Sequence, residues 1–358
     1  MTSSADQPNG AHTADPLEGQ YGHLSADQEA KFTEFKKTCE TDGVYDPSKA
    51  RPTTLSDPDL LRFLRARKFD VGGALKQLKD TETWRQVNKL DELYDTCDVD
   101  AFEEALKVYH QWTGRRDLSG HPVYVYEIAN IKNNLAAFDR SSKIAHSSAP
   151  PTPAASDPIP PKLRMLCALY ENMSEFVLPL CNAVPGRPHP EIPVTATSHI
   201  VDVSGLGLMG YWNLKNHMQA ASTLASTYHP ETLDRVFLIG APSFFPTVWG
   251  WIKRWFDPVT TSKIFVLAAA DVQPTLTRFM RPADLPVKYG GELEWEYGMP
   301  PSFDSEIAKV LRGRIGEGGW VRGPLRWVSD GKGGGRIEMR GTVEGKRREE
   351  EVVGEFKP

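Results

Sequence analysis

Only four cysteines, Cys39, Cys97, Cys167 and Cys181, occur in 358 residues, and none stands in a CxxC pair or at a Cys/His ligand spacing. That excludes a disulfide framework or a zinc cluster as an organising device, so the four read as reduced thiols. No apolar run reaches the ~18 residues that a membrane-crossing helix needs. The net charge of -5 lacks the basic excess of a chain that binds nucleic acid through bulk electrostatics. Any anionic partner must then be met by a local basic cluster. The opening residues MTSSADQPNGAHTADP carry no basic n-region, apolar core or Arg-rich transit pattern, so the expected compartment is cytoplasmic. A P-loop, an HExxH pair, a nucleophile elbow and any internal repeat are also missing. Neither an enzyme nor a bound cofactor or metal is expected, and no nucleic-acid partner.

With 40% hydrophobic and 25% charged residues, the chain is an ordinary globular protein with ample core. Residues 1–22 are polar without an apolar period and are expected to be disordered. Residues 23–95 form a small helical unit. Ser25 and Gln28 have capping-box spacing, Pro58 opens a second helix, and Asp70 caps a third that carries Leu75, Leu78, Trp84, Val87 and Leu90. From Pro122 the period changes. PVYVYEI, Thr195 to Val203, Arg235 to Ile239 and Lys263 to Ala268 read as strands, separated by helical patterns near 163–180, 213–228 and 245–256. The fold class is therefore α/β, a mainly parallel sheet flanked by helices, spanning 96–303. Residues 141–161, rich in Ser, Ala and Pro, and 184–193, with four prolines, are expected to be mobile surface loops. Residues 304–358 form a Gly-rich, charged tail in which LRWVSDG and GRIEMRGTV are paired as a hairpin.

The segment from Pro242 to Val266 is the most informative. Phe245, Val248, Trp249, Ile252, Trp255 and Phe256 form an apolar stripe, with Lys253 and Arg254 at one side and Trp251 out of register. Such a helix suits either a water–lipid interface or a sheet-covering core position. In LLRFLRARK, Arg67 lies seven, four and three residues after Leu60, Phe63 and Leu64, so it is expected to point inward, toward a salt bridge or a polar ligand. Arg62 and Arg65 are expected on an exposed basic face. Thr197, His199, Val201 and Val203 share one face of a strand, which suits an apolar pocket with a few polar groups, or a core with one satisfied histidine. Gly205-Leu-Gly207-Leu-Met-Gly210 matches a dinucleotide fingerprint but follows some 200 residues of chain, with Asp202 where a pyrophosphate would sit. A tight strand-to-helix turn is the simpler reading.

Taken in order, LLRFLRARKFDV, SGHPVYVYE, YHPETLDRVFLIGAPSFF, FDPVTTSKIFVL and LPVKYGG resemble the fungal CRAL-TRIO phosphatidylinositol/phosphatidylcholine transfer proteins over about residues 25–303. The resemblance implies a helical N-terminal unit and a lipid pocket floored by a sheet. A gating helix would close it, and by position that helix is Phe245 to Phe256. Contacts to a phosphatidylinositol headgroup are implied at Arg67, Glu231, Thr260 and Lys263. Phosphatidylcholine contacts are implied at Thr113, Tyr124, Thr197 and His199. The chain departs from the family pattern at Thr232, where relatives have Arg, at Thr113, where they have Tyr, and at His199, where they have Thr. The function implied is reversible phospholipid transfer or presentation at a membrane surface, Golgi or endosomal for instance, by a monomer. Two rivals remain: a carrier of another hydrophobic ligand, such as a sterol, a retinoid-like molecule or haem, with His199 in the pocket, and a dinucleotide-dependent enzyme using GLGLMG.

Overall fold

The computed structural model describes residues 17–49, 55–130, 159, 161–242, 245–255, 261–315, 319–332, 334–348 and 351–356. The insertion 141–161 and residues 1–16 thus lie almost wholly outside it. Of the stretch expected to be disordered, residues 17–22 form hydrogen-bonded turns in which Gly19 N–H donates to the His23 carbonyl at 3.1 Å.

Helix α1, Ala26–Thr41, begins where both halves of the Ser25/Gln28 capping box are made. It packs on α2, Asp57–Ala66, and α3, Val71–Val87. Phe35, Leu60, Leu64 and Leu78 are fully buried between them. Truncating one such leucine to alanine costs about 2–5 kcal/mol. The third helix stops before Leu90, because Lys89 takes a left-handed φ of 50°, and Leu90–Asp95 is a separate α4. Helix α5 runs Val99–Leu106, capped by Asp98, whose carboxylate accepts the Ala101 N–H at 2.9 Å.

The main sheet has five strands in the order β1 Gln111–Arg116, β2 Pro122–Glu127, β3 Thr197–Asp202, β4 Leu233–Ile239 and β5 Ile264–Val266. β1 runs antiparallel to β2 and the other pairings are parallel. β1 has no counterpart among the predicted strands. Its sequence, QWTGRR, holds Gly114 at φ +86° beside a bulge, where a Cβ would meet the Ser302 backbone at 2.5 Å. The crossovers place α6, Pro161–Asn172, α7, Leu178–Ala183, and α8, Leu208–Tyr228, on one side of the sheet. Between α6 and α7 the chain makes a π-helical turn, Met173–Val177, just before Pro179, which has no N–H to give.

Period-two burial divides the sheet. Val123, Val125, Ile200, Phe237 and Ile239 pack under a cover containing Leu276, Leu285 and Trp295. Helix α9, Phe245–Ile252, continuing as a 3-10 turn Lys253–Trp255, lies over the opposite face. Short helices α10, Val272–Leu276, and α11, Ser305–Val310, follow.

The tail is folded. Strands β6 Leu311–Arg312, β7 Leu325–Ser329, β8 Gly335–Met339 and β11 Val352–Phe356 make a second sheet, ordered β6-β11-β8-β7; β9 Thr342–Val343 pairs with β10 Lys346–Arg347. The expected hairpin is its β7–β8 edge, with Trp327 opposite Ile337. Arg326 clamps this sheet to the body through Glu175 and, at 3.1 Å, Asp95, while Tyr94 donates to the Leu325 carbonyl. Burial favours the neutral thiol at all four cysteines, which are free, and lifts Cys39 to about 12.

Candidate functional site: a lined cavity beneath helix α9

Above the sheet lies a cavity of about 1070 Å³. Strand register makes its floor. One cross-strand row is Trp112, Tyr124, His199, Val236 and Ile264, and the next is Tyr126, Val201 and Leu238; all of them line the cavity. Thr197 and Val203 line it too, so the face expected from alternation on β3 is indeed the pocket face. Leu166 and Leu169 of α6, Met173 and Phe176 of the π turn, and Met218 and Ala221 of α8 supply walls. Phe245, Val248 and Trp249 of α9 close the top. The first two are buried, and Trp251 is 36% exposed, as its position off the stripe requires. Lys253 and Arg254 are exposed. The side chains of Ile252 and Trp255, and all of Phe256, lie outside the described residues.

At the mouth the charges gather. Glu231 sits in the loop before β4 with a left-handed φ of 55°. Its Oε2 lies 3.3 Å from Lys263 Nζ and 3.5 Å from Arg65 Nη2. Lys263 also donates to the Leu233 carbonyl at 3.0 Å. It stands behind Glu231, outside the cavity lining, whereas Arg65, Arg67 and Lys68 belong to that lining. Thr260 lies outside the described residues. The loop is held in place by Arg62, whose Nη1 donates to the Pro230 carbonyl at 2.8 Å and whose Nη2 meets Asp59 at 3.0 Å.

The arginines correct the sequence reading. Arg67 is exposed, not turned into the core, and it is Arg62 and Arg65 that are partly buried. The helix ends at Ala66, and Arg67 is its C-cap at φ -109°, so the seven-residue spacing from Leu60 no longer maps to one face. Arg65, expected on an exposed face, is instead partly buried against Glu231. Its i, i+3 pairing with Arg62 was the available signal, since two arginines on one face can dock an acidic loop.

Thr113 is the second correction. It is fully buried, its Oγ1 donates to the Val123 carbonyl at 3.0 Å, and it is not part of the cavity lining. The bulge around Gly114 leaves Gln111 and Trp112 as the β1 residues in the wall. Tyr124, Thr197 and His199 do meet. His199 stacks on Tyr124, ring centroids 5.3 Å apart and 18° from parallel, and its Nε2 lies 2.7 Å from Thr197 Oγ1. His110 packs edge-on against His199 at 5.0 Å. Burial pushes both imidazoles toward the neutral form, His110 to about 4.

The GLGLMG segment is the strand-to-helix turn. Gly205 takes φ +74° and Gly207 is the N-cap of α8. Asp202 accepts the Ser204 N–H at 2.8 Å and pairs with Lys288 at 3.1 Å. The first turn of α8 offers Leu208, 46% exposed, and Met209, 73% exposed, rather than a phosphate cradle. Trp212, one turn on, meets Trp251 of α9 at 5.6 Å. No helix among the described residues is long and apolar enough to cross a membrane.

The family model described as CRAL/TRIO domain matches residues 106–291, and that described as CRAL/TRIO, N-terminal domain matches 31–80. The chain is 30% identical over 281 residues to the SEC14 cytosolic factor of Kluyveromyces lactis, covering 78% of this chain and 82% of that protein. It is 31% identical to the SEC14 cytosolic factor of Yarrowia lipolytica, covering 80% of this chain and 52% of the other. The phosphatidylinositol/phosphatidylcholine transfer protein SFH7 of Arabidopsis thaliana is 30% identical over 65% of this chain and 38% of its own length. Among solved structures, that of Sfh5 superposes with a TM-score of 0.55 at 16% identity, over 79% of this chain and 93% of the other. That likeness concerns the fold.

Proposed function

The chain belongs to the CRAL/TRIO family, and on that premise we propose that it transfers or presents phosphatidylinositol, holding one lipid at a time in the cavity beneath α9. The observation that carries the reading is the charged mouth of a mostly apolar cavity: Glu231 bracketed by Arg65 and Lys263, with Arg67 also in the lining. Basic side chains serve a phosphate through charge-assisted hydrogen bonds, and the Glu231 carboxylate accepts from inositol hydroxyls. Thr260 completes the headgroup set that the family pattern implies. The mechanism is sheathing. Each methylene removed from water is worth about 0.8 kcal/mol, so a diacyl lipid leaves a bilayer unaided very slowly. An apolar cavity replaces the bilayer contacts, and no bond is made or broken.

Docking falls to the surface shared by α9 and the start of α8. Leu208, Met209, Trp212 and Trp251 are exposed there, with Lys215 over the Trp212 ring at 5.0 Å and Lys253 and Arg254 alongside. Large apolar side chains ringed by cations suit an anionic lipid surface. Helix α9 is then both lid and contact, and its displacement opens the cavity toward the bilayer. Phosphatidylcholine is the weaker cargo, because Thr113 and His199 replace the aromatic and hydroxyl groups of the family pattern. Mass spectrometry of lipids extracted from the purified protein, followed by transfer of phosphatidylinositol between vesicles, tests the reading. Recovery of no phosphoinositide and no transfer would sink it.

A further inference from the structure

Three groups of ligand-type side chains converge among the described residues. Two of them hold their own cations. Asp117 and Asp234 face His121, and in the second group Glu171 pairs with Arg85 and Glu175 with Arg326. The third, His23, His189 and Glu191, pairs Glu191 with no lysine or arginine among the described residues, and none of its members lines the lipid cavity.

The chain builds this group from two sides. The loop between α7 and β3 is pinned from within by the buried Arg187, which donates to the carbonyls of Asn182 at 3.2 Å, Pro190 at 3.2 Å and Ile192 at 3.1 Å. In that loop His189 takes a left-handed φ of 51°, and the Ile192 N–H closes a turn onto its carbonyl at 3.0 Å. His189 Nδ1 then lies 3.2 Å from Glu191 Oε1. From the other side, the hydrogen-bonded turns of residues 17–23 bring His23 Nε2 to 3.1 Å from the same oxygen, 168 positions away in sequence. No local ligand spacing could announce such a set.

One ligand atom from each of the three lies within 4.8 Å of the others. Zinc binds imidazole nitrogen at about 2.0–2.1 Å and carboxylate oxygen at about 2.0–2.2 Å, so neighbouring ligands on its tetrahedron stand about 3.3–3.5 Å apart. The separations of 3.1 and 3.2 Å are already close to that edge. A divalent ion would neutralise Glu191 and take a lone pair from each neutral imidazole. Imidazole nitrogen favours zinc-class ions over calcium and magnesium, which take oxygen ligands. All three side chains reach solvent, so an ion can enter and a fourth position stays open to water.

The consequence reaches the cavity mouth. Gln20, in the same turns as His23, accepts a hydrogen bond from Arg65 Nη1 at 2.8 Å, and Arg65 stands beside Glu231. Fastening His23 to the α7–β3 loop fixes the segment that holds this arginine.

We propose that His23, His189 and Glu191 bind a zinc-class divalent cation, which clamps the N-terminal turns to the loop between α7 and β3. The assignment does not depend on which lipid the cavity holds.

The untagged full-length chain is stripped with a chelator and titrated calorimetrically with Zn2+, Ca2+ and Mg2+. One equivalent of Zn2+ binds with micromolar affinity or tighter, and neither Ca2+ nor Mg2+ competes. His23→Gln and His189→Asn each weaken Zn2+ binding at least about tenfold. Asparagine tolerates the left-handed backbone at position 189, and Glu191→Gln serves as a third variant should either of these fail to fold. Bound Zn2+ slows amide hydrogen exchange in residues 17–23 of the wild type. It also raises the melting temperature by roughly 3–5 °C at a concentration a hundredfold above Kd, and both effects are absent from the variants. No stoichiometric binding of Zn2+ overturns the proposal. Equal binding by the wild type and the variants overturns it by placing the ion elsewhere. So does binding that leaves hydrogen exchange in residues 17–23 unchanged, since the ion would then clamp nothing.

Discussion

Glu231 holds Lys263 at 3.3 Å across the loop that opens β4, and the same carboxylate oxygen lies 3.5 Å from Arg65. One acidic side chain thus orients two cations at the cavity mouth. Lys263→Ala removes the ammonium, and Glu231→Ala frees both cations from their common partner. Each variant should reduce phosphatidylinositol transfer between vesicles at least about tenfold, since a hydrogen bond to a charged group is worth about 1.5–3 kcal/mol. Melting temperature should change little, because all three side chains keep contact with solvent. Wild-type transfer rates in both variants would mean that the headgroup binds elsewhere.

Phosphatidylcholine transfer, expected to be the weaker activity, should rise in His199→Thr, which takes the stacked ring off Tyr124 and restores a hydroxyl to the floor. Adding Thr113→Tyr should bring no further gain. Thr113 faces away from the cavity and is fully buried, so a phenol there overpacks the core at a cost of about 1–3 kcal/mol. The comparison needs transfer rates for both lipids and a denaturation curve for each variant. A gain from the tyrosine in a stably folded double variant would show that the bulge at Gly114 rearranges to admit it.

Local signals in the sequence were sound wherever a short-range bond decides the outcome. The Ser25 capping box and the alternation on β3 both come from interactions within a few residues, and both are found; Asp70 stands at the N-cap of α3 without a side-chain capping bond. Parallel pairing followed from strands separated by helices, and β2 to β5 obey it. The misses are tertiary. β1 hides behind Gly114 and two arginines, one of which, Arg116, is buried only because Asp304 pairs with it at 2.7 Å from 188 residues away. The inward reading of Arg67 extrapolated a helical period past the end of the helix at Ala66. The second sheet was legible as one hairpin. Its other two strands, β6 and β11, join through long-range pairing that no local pattern announces.

Trp251 lies at the outer edge of α9 and meets Trp212, 47% exposed, at 5.6 Å. Trp251→Asp puts a carboxylate into the surface proposed to meet lipid, next to Lys253 and Arg254. Binding to anionic vesicles, read by sedimentation, should fall several-fold, while the melting temperature shifts by no more than a surface substitution allows, within about 0.5 kcal/mol. Trp212→Asp should act alike, as the two rings form one patch. Large destabilisation with vesicle binding intact would show that α9 is an ordinary core helix.

His121 stands apart from the cavity and sets a pH dependence of its own. Its Nδ1 lies 3.4 Å from the buried Asp117 carboxylate and 3.5 Å from Asp234, distances of an ion pair rather than a tight hydrogen bond. Burial alone would favour the neutral ring. The two carboxylates outweigh it and raise the imidazole from 6.5 to about 9. With the folded value above the unfolded one, the stabilisation is complete below about pH 6.5 and disappears as pH rises through about 9. At 1.36 kcal/mol for each pKa unit, the contribution is on the order of 3 kcal/mol. The four buried thiols also disfavour the fold at high pH, so the informative quantity is the difference between wild type and His121→Gln. Urea denaturation at pH 6.0 and pH 9.5 should show the variant less stable at the lower pH and nearly equal to wild type at the higher. A constant gap across that range would mean that His121 is neutral in the fold and contributes by packing alone.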